Sequence, residues 1–491
     1  MMKREEIKAI YDQGPEAVID LVERLFSIIE KQQEQISAQQ EQITKLTVRV
    51  KELEDRLAKN SQNSSKPPST DQQRQTKSLR KPSGNKSGGQ SGHEGNTLCQ
   101  VENPDQTIVH KIAKCCDCGF DLQSTPASQY DCRQVFDLPP IKLEVSEHQA
   151  EVKECPQCGQ TNTASFPDGV NNIVQYGEVI KGLMVYLMNY QLIPYRRTTE
   201  IIADLCGQSI SQGTLHQTMA ECADNLAASC EQIKTAIKQA AVANFDETGL
   251  YVDGARFWLH VSATKTLTYY QYHEKRGSEA LDAIDILPNF TGTSVHDGYS
   301  CYQDYPCQHA LCNAHHLREL TFLAQQYGLA WAGKMIAHLL KIKEAVDDAR
   351  QAGKTLLDKI AIAKFERRYQ RILREGFTAD IPPEPPDQPR RGRKKQSKAK
   401  NLLDRLSNYR KETLAFMYDF NVPFDNNQAE RDIRMMKVQQ KISGCFRSTM
   451  GAKVFCQIRS YISSMRKQGH NVLAVLKSVF SANPIQPAFS A

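Results

Sequence analysis

Three acidic side chains stand where strands and a helix could bring them together. Asp246 follows the apolar run A-V-A-N-F and Asp297 follows T-S-V-H, so we expect each carboxylate at the end of a strand. Glu430 lies in the helical stretch N-N-Q-A-E-R-D-I-R-M-M-K, which Asn426 or Asn427 can cap. Three converging carboxylates can hold Mg²⁺ or Mn²⁺ for phosphoryl transfer. Taken singly, each acid is better interpreted as a solvated or capping residue, so the prediction rests on the combination.

Basic residues crowd the stretch that follows Glu430. Nine Lys or Arg and only two acids occur from Glu430 to Lys467. A cationic helix beside metal-binding acids can hold a phosphodiester backbone near the ions, whereas the alternative is a solvated basic face. The residues expected to contact DNA or to support the site are Arg431, Arg434, Lys437, Lys441 and Arg447.

Two Cys-x-x-Cys pairs predict a structural zinc site. The four cysteines are Cys115, Cys118, Cys155 and Cys158, and each pair is followed by a glycine that permits a tight turn. Four thiolates suit a closed tetrahedral Zn²⁺ site, which stabilises a small module and leaves no open catalytic position. The run V-F-D-L-P-P-I-K-L-E-V between the pairs predicts a hairpin. The alternative is four unrelated buried thiols.

Motifs in a fixed order resemble the IS66-type insertion-sequence transposases of the DDE group. They are N-S-S-K-P-P-S-T-D, two Cys-x-x-Cys-Gly knuckles, F-D-E-T, H-D-G-Y, C-N-A-H-H-L-R-E-L, N-N-Q-A-E-R-D-I-R and K-I-S-G-C-F-R-S-T-M-G-A. The resemblance implies an RNase-H-like catalytic fold that is split by a helical insertion between the second Asp and the Glu. It also implies Asp246, Asp297 and Glu430 as the catalytic metal ligands.

A further motif of that family, Cys-x-x-His-x-x-Arg, is matched by Cys312, His315 and Arg318. On a helix the three side chains would share one face. We expect His315 and Arg318 to contact the catalytic site or DNA, and packing in the core is the alternative. A Cys-x-x-His pair could also be half of a metal site, but no second half is evident nearby.

The first sixty residues carry a heptad repeat that would bring two copies of the chain together. One apolar series comprises Val22, Ile29, Ile36, Ile43, Val50 and Leu57, and a second series includes Leu25, Leu46 and Leu53. β-Branched residues in the first series with leucines in the second favour a parallel two-stranded coiled coil. The sequence therefore predicts a homodimer or higher oligomer. The alternative is a single amphipathic helix packed on its own chain.

The predicted fold class is a mixed α+β multidomain chain. Its predicted parts are a coiled-coil helix over 1–59, a flexible basic linker over 60–98, a zinc-binding module over 99–168, a helical DNA-binding or connecting region over 169–240, the first part of an RNase-H-like core over 241–311, a helical insertion with a proline-rich basic loop over 312–400, and the C-terminal part of the core with a helical tail over 401–491.

Composition narrows the class of protein. The chain of 491 residues has a formal net charge of +6, and it contains no run of 18 apolar residues, so no membrane span is expected. No apolar segment follows the N-terminal charges, so no secretory signal is expected and the fifteen cysteines are interpreted as reduced thiols plus a metal site. A bacterial cytoplasmic protein associated with the nucleoid is expected.

Residues and resemblance together predict a DNA transposase. It would bind the terminal inverted repeats of its own element, hydrolyse a phosphodiester and join the exposed 3′-hydroxyl to target DNA. The resemblance makes accessory proteins of the same element plausible partners. The rival hypotheses are a catalytically inactive, transposase-derived DNA-binding regulator and a zinc and coiled-coil scaffold with no role on DNA.

Overall fold

The computed structural model describes residues 4–60, 63–64, 98–379, 396–481 and 484–489. Most of the predicted linker at 60–98, the motif N-S-S-K-P-P-S-T-D after its first two residues and most of the proline-rich basic loop lie outside the described residues. The chain divides into two compact units. One comprises residues 1–76, 172–194 and 213–491, and the other comprises residues 77–171 and 195–212.

The N-terminal region is helical. It contains α1 (Arg4–Tyr11) and the 44-residue α2 (Pro15–Ala58), which begins with a proline where a missing N–H costs no helical hydrogen bond. The predicted seam is exposed: the exposed fractions of Ile29, Ile36 and Val50 are 53%, 63% and 53%. No helix in the described part of the chain is long and apolar enough to cross a bilayer.

The cysteine-rich segment holds a small hairpin, but at a different place from the predicted one. Strand β1 (Val152–Glu154) pairs antiparallel with β2 (Thr161–Thr163), so the hairpin surrounds the second cysteine pair. The hairpin predicted at residues 135–145 is wrong, since no strand occurs there. Pro139 and Pro140 lie in its middle and have no N–H to donate to a ladder.

A mixed five-stranded sheet lies at the centre of the larger unit. Its strands are β3 (Val242–Val252), β4 (Ala255–Ala263), β5 (Thr268–His273), β6 (Thr293–His296) and β7 (Gln308–Leu311). Their spatial order is β5-β4-β3-β6-β7. The pairs β3–β4 and β4–β5 are antiparallel, whereas β3–β6 and β6–β7 are parallel. The runs A-V-A-N-F, R-F-W-L-H-V-S-A-T, T-Y-Y-Q-Y-H and T-S-V-H predict β3, β4, β5 and β6, whereas the short β7 was not predicted.

Strand β3 is longer than predicted. The expectation that it ends at Asp246 is wrong, because residues up to Val252 continue the ladder with β4. Asp253 and Gly254 close this hairpin with positive φ angles of 47° and 74°. An Asp-Gly pair between two strand patterns favours such a tight turn, so the sequence did contain a signal for the longer strand.

Helices cover the sheet and form the insertion. Those before the sheet are α3 (Glu178–Val185), α4 (Tyr195–Cys206), α5 (Gln212–Asn225) and α6 (Ala227–Lys238), of which α4 belongs to the smaller unit. Those that follow are α7 (Ser278–Ile284), α8 (Asn313–Tyr327), α9 (Ala330–Gln351), α10 (Lys359–Thr378), α11 (Lys398–Asn408), α12 (Arg410–Thr413), α13 (Ala415–Tyr418), α14 (Asn427–Ser443), α15 (Thr449–Lys467) and α16 (Val472–Ser478).

The two faces of β3 pack against different helices. Leu250 and Val252 share a core with residues of α14 and α15. Ala243 and Phe245 pack in a core with residues of α6 and α7. Successive side chains of a strand point to opposite faces, so even-numbered residues of β3 face α14. This alternation directs Asp246 to the side of the sheet that carries Glu430.

The insertion from α8 to α13 is built onto the sheet. Its core includes Trp331, Leu339 and Tyr369, and it is continuous with Val295 of β6 and Ala310 of β7. These apolar contacts are non-directional but numerous, and they fix the insertion to the strands within the larger unit.

The C-terminal end of α2 is attached to the insertion by polar contacts. Asp55 Oδ2 accepts hydrogen bonds from Tyr327 Oη and Lys398 Nζ, both at 2.6 Å. Lys51 Nζ lies 5.6 Å from the centroid of the Tyr327 ring. At 100° per residue, Lys51 and Asp55 lie about 100° and 140° around the helix from Val50. The attachment borders the apolar seam, since Ile43, Leu46 and Val50 line a cavity together with Lys51 and Tyr327.

Candidate active site

Asp246 and Asp297 occupy equivalent positions on neighbouring parallel strands. Asn244 of β3 pairs with Val295 of β6, and two residues further along each chain stand Asp246 and Asp297. Because paired strands lie about 4.8 Å apart, these two carboxylates start from adjacent points of the sheet. Asp246 Oδ1 accepts a hydrogen bond from Glu247 N at 2.9 Å, and Asp297 Oδ1 accepts one from Tyr299 N at 2.9 Å.

Cys312 continues this row on the next strand. Leu311 of β7 pairs with His296 of β6, so Cys312 follows β7 as Asp297 follows β6. The Cys312 backbone N–H donates to His296 O at 2.9 Å. The buried Cys312 Sγ accepts a hydrogen bond from Asn426 N at 3.1 Å. Cys312 thus connects the end of the sheet with the start of α14.

Asn426 joins the helix of Glu430 to the strand of Asp246. Asn426 Nδ2 donates to Phe245 O at 2.8 Å, and Asn426 Oδ1 accepts from Asn244 Nδ2 at 2.8 Å. The expectation that the Asn426 side chain caps α14 is wrong, because its amide is committed to β3 and makes no cap hydrogen bond. Glu430 N donates to Asn426 O at 3.2 Å, so the catalytic candidate stands one turn from this attachment.

His315 and Arg318 extend from α8 toward Glu430. The distances to Glu430 Oε1 are 3.8 Å from His315 Nδ1 and 3.5 Å from Arg318 Nη2. Burial, reinforced by the Arg318 charge, lowers the pKa of His315 to about 4, so its imidazole is neutral near pH 7. Among the described residues, His315 Nδ1, Arg318 Nε and Glu430 Oε1 are buried without a hydrogen-bond partner. Such a cluster of unsatisfied groups fits a bound ligand.

Cys312, His315 and Glu430 are the sole described group whose potential metal-ligand atoms all lie within 4.8 Å of one another. Burial raises the pKa of the Cys312 thiol to about 12, and its Sγ already accepts a hydrogen bond from Asn426 N. The neighbouring Arg318 charge also opposes a cation there. We therefore interpret this cluster as the surroundings of Glu430 rather than as a separate metal site.

The acidic residues repel one another. Burial raises the pKa of Asp246 well above its usual range, and the charges of Glu247, Asp297 and Glu430 add to this effect. The oxygens of the three candidate ligands are not all within 4.8 Å of one another. Buried carboxylates crowded in this way favour a divalent cation, which would compensate the like charges with hard oxygen ligands.

Sequence analysis missed a buried ion pair on the other face of β3. The side chain of Glu247 is 2% exposed, and Arg276 binds its Oε1 through Nε at 2.9 Å and Nη2 at 2.7 Å. Tyr302 Oη donates to the other carboxylate oxygen. The Arg276 guanidinium also lies over the rings of Trp258 and Tyr299, at 5.0 and 4.2 Å. Only the strand alternation at F-D-E-T could have indicated that Glu247 faces away from Asp246.

Arg405 of α11 reaches the loop after Asp297, which no sequence motif indicated. A Cβ atom added to Gly298 would lie 3.3 Å from Arg405 Nη1. Arg405 also forms an ion pair with Glu319 of α8. The glycine in H-D-G-Y is therefore explained by the close approach of the helical insertion.

The predicted basic residues divide into two groups. Lys437 Nζ donates to Gly249 O of β3 at 3.0 Å, so this residue supports the contact between α14 and the sheet. The other four, Arg431, Arg434, Lys441 and Arg447, are exposed and make no such contact with the sheet among the described residues.

The two cysteine pairs of the smaller unit adopt similar turns. Gly119 and Gly159 have φ angles of 74° and 72°, and their N–H groups donate to Cys115 O at 3.1 Å and Cys155 O at 2.8 Å. Backbone N–H groups of each turn lower the pKa of the first cysteine, Cys115 or Cys155. This favours thiolates. Among the described residues, the pairs formed with Cys118 and Cys158 do not gather into one cluster of four sulfurs.

Comparisons with known proteins agree with this architecture. The model of the IS66 transposase family matches residues 174–454, which is more than half of the chain. The zinc-finger domain of IS66 transposases matches residues 113–159, and a family of unknown function, DUF6444, matches residues 16–98. A search of curated proteins found no match. The mixed sheet with helices on both faces confirms the predicted RNase-H-like core. The chain belongs to the IS66 family of transposases.

Proposed function

We propose that this protein binds the terminal inverted repeats of its element, hydrolyses a phosphodiester there and joins the resulting 3′-hydroxyl to target DNA. Membership of the family implies phosphoryl transfer on DNA. The observation that carries the proposal is the common register of Asp246 and Asp297, with Glu430 held nearby through Asn426. Three carboxylates from two strands and one helix suit two-metal phosphoryl transfer.

Asp246, Asp297 and Glu430 would hold Mg²⁺ or Mn²⁺. When bound, such ions lower the pKa of the attacking water or hydroxyl and stabilise the leaving oxygen. The crowding around Asp246 and the unsatisfied Oε1 of Glu430 support this assignment.

Residues of α8 and α14 would orient the reacting DNA. Arg318 stands 3.5 Å from Glu430 and has an unsatisfied Nε, so it can share its charge between this carboxylate and a phosphate oxygen. The neutral His315 can donate or accept a hydrogen bond at the same place. Exposed cations of α14, such as Arg431 and Arg434, would neutralise phosphates farther along the backbone.

Zn²⁺ would be held by Cys115, Cys118, Cys155 and Cys158. The lowering of the Cys115 and Cys155 pKa by backbone N–H groups and the glycine turns support thiolate ligation. The site would be structural, and its module would contact element ends together with the helical region at 169–240.

A second copy of the chain would pair along the seam of α2. The seam is exposed at Val22, Ile29 and Ile36, which lie before the part of α2 that faces Tyr327. Burying such a heptad against an identical helix removes its apolar side chains from water. Accessory proteins of the same element and target DNA complete the proposed partners.

The proposed function is tested with purified protein, Mn²⁺ and DNA that carries both ends of the element. The 3′-ends are mapped at nucleotide resolution for wild type, Glu430→Gln and the exposed control Glu279→Gln. We expect cuts at the element boundary for wild type and the control, and none for Glu430→Gln. Tight binding by wild type without cleavage under any divalent ion would instead support the inactive regulator.

A further inference from the structure

Helix α10 of the insertion carries cations along one side. At 100° per residue, Lys364, Arg367, Arg371 and Arg374 lie within about 80° of arc and span about 15 Å of helix length. All four side chains are exposed. We call these four residues the α10 stripe.

Within the described part of the chain, the α10 stripe has no acidic partner. Its members form no ion pair there, and the Arg367 guanidinium donates only to Ala363 O of its own helix, at 3.2 Å. Acids of the same helix are committed elsewhere. Glu366 accepts a hydrogen bond from Tyr418 Oη at 2.5 Å, and Glu375 pairs with Lys334 Nζ at 2.6 Å. The positive charge of the stripe is therefore uncompensated by its helix.

The opposite side of α10 fixes the helix in place. Tyr369, Ile372 and Leu373 are buried in the core of the insertion. Gly376 lies so close to its neighbours that an added Cβ would be 2.6 Å from Leu403 Cδ2 and 3.1 Å from Trp331 Cδ2. The stripe is consequently presented on a packed element and not on a mobile loop, so its charges keep a constant spacing.

We propose that the α10 stripe binds the phosphate backbone of duplex DNA. A solvated surface usually mixes both signs of charge, whereas Glu375, the acid of α10 that borders this stripe, is paired with Lys334. Four cations over about 15 Å give one charge per 4 to 5 Å, which is of the order of the 3.4 Å axial spacing of phosphates on one strand. The proposal rests on the proposed function and adds a DNA-binding surface outside α14 and the zinc module. Contacts with phosphates carry no sequence information, so both element ends and unrelated duplexes would be bound.

The test compares two variants of the full chain with equal loss of charge. The first is Arg367→Gln, Arg371→Gln and Arg374→Gln. The control is Arg24→Gln, Lys31→Gln and Lys45→Gln, which removes three exposed cations from α2. Glutamine has a helix propensity close to that of Arg and Lys, so both should fold, which circular dichroism and thermal unfolding verify. If the stripe variant unfolds at a lower temperature than wild type, the single variant Arg371→Gln is used in its place.

Dissociation constants are measured from 50 to 200 mM salt, for an element-end duplex and an unrelated duplex. We expect the slope of log affinity against log salt to become shallower by about 3 for the stripe variant on both duplexes, or by about 1 for the single variant. The α2 control should keep the wild-type slope.

A wild-type slope in the stripe variant would overturn the inference while the proposed function stands. An equal change in the slopes of the stripe variant and the control would do the same. A change confined to the element-end duplex would also overturn it, because phosphate contacts affect both duplexes. If wild type binds neither duplex in a salt-dependent way and cuts no element end, the proposed function itself fails.

Discussion

At the scale of single residues, the candidate site depends on side chains that hold the acids rather than on the acids alone. Asn426 is 1% exposed and contacts β3 through both polar atoms of its amide. Cys312 Sγ accepts a hydrogen bond from the Asn426 N–H, so the end of β7 is also connected to the start of α14. Glu430 is thereby connected to the strands of Asp246 and Asp297 by buried hydrogen bonds.

Asn426→Ala should therefore disturb both stability and the site. Loss of its amide leaves the buried Asn244 side chain and Phe245 O unsatisfied, which costs about 1–3 kcal/mol. We also expect slower cleavage at saturating DNA, by roughly tenfold or more, since Glu430 loses its anchor. Urea unfolding and the rate of 3′-end formation measure the two effects. Asn427→Ala, one exposed residue further, should change neither, and equal behaviour of the two variants would contradict the role of Asn426.

Arg276→Ala should make stability depend strongly on pH. Burial raises the pKa of Glu247, and Arg276 opposes that shift. Without Arg276 the folded-state pKa rises further above the unfolded value, so the native state favours the protonated acid and stability is lost as pH increases. We expect a loss of about 3–5 kcal/mol at pH 8 and a smaller loss at pH 5, measured by urea unfolding.

The matched control is Arg256→Ala. Arg256 also stacks on Trp258, at 4.5 Å, but it makes no described ion pair with Glu247. Its removal should cost little at either pH. A pH-independent loss in Arg276→Ala would show that stacking, and not the buried charge, is what Arg276 provides.

At the scale of elements, the sequence predicted the strands and the helix that carry the candidate acids better than it predicted the contacts that connect these elements. Period-two runs indicated β3, β4, β5 and β6, and the resemblance assigned Asp246, Asp297 and Glu430. Neither could indicate β7, whose four residues are too few to establish a period. The contact of Arg405 with Gly298 connects segments that are far apart in the chain, so local sequence patterns could not predict it. The Asn426 side chain, which the sequence suggested as a helix cap, instead makes hydrogen bonds with β3.

Gly298→Ala tests the contact between Arg405 of the insertion and the loop after Asp297. The new Cβ would lie 3.3 Å from Arg405 Nη1 and 3.4 Å from its Cδ, so the Arg405 side chain, which is paired with Glu319, must move by a few tenths of an ångström. We expect cleavage to slow roughly ten- to hundredfold with little effect on DNA affinity. Gly333→Ala in α9 is the control, because nothing lies within 4 Å of its added Cβ. Unchanged cleavage in Gly298→Ala would remove this contact from the site.

At the scale of the whole molecule, buried histidines make the stability of the protein depend on pH. Burial lowers the pKa of His260 to about 4 and that of His316 to about 3. Unfolded histidine titrates near pH 6.5, so below that value the unfolded chain binds protons that the native chain excludes. Their contribution is present above pH 6.5 and is lost as pH falls toward the folded values.

By themselves the buried histidines should therefore lower the free energy of urea unfolding of the full chain at pH 5 relative to pH 7, whereas the raised pKa values of Asp246 and Glu247 act in the opposite direction. Each of these histidines accounts for about 1–2 kcal/mol of the difference. His316→Gln removes one titrating group, so the free energy of unfolding at pH 5 should rise relative to that at pH 7. The same difference between the two free energies in the variant and in wild type would exclude His316 as a source of acid sensitivity.

The order of the site residues along the chain also has a consequence during synthesis. Helix α2 ends at Ala58, whereas Glu430 belongs to the last quarter of the chain. At 5–20 residues per second, a ribosome needs roughly 20–75 s to pass from one to the other. Throughout that interval the nascent chain has the whole of the proposed pairing helix but lacks the proposed third metal ligand. Under the proposed function, sibling chains on neighbouring ribosomes of one messenger would pair before either chain is able to cut DNA.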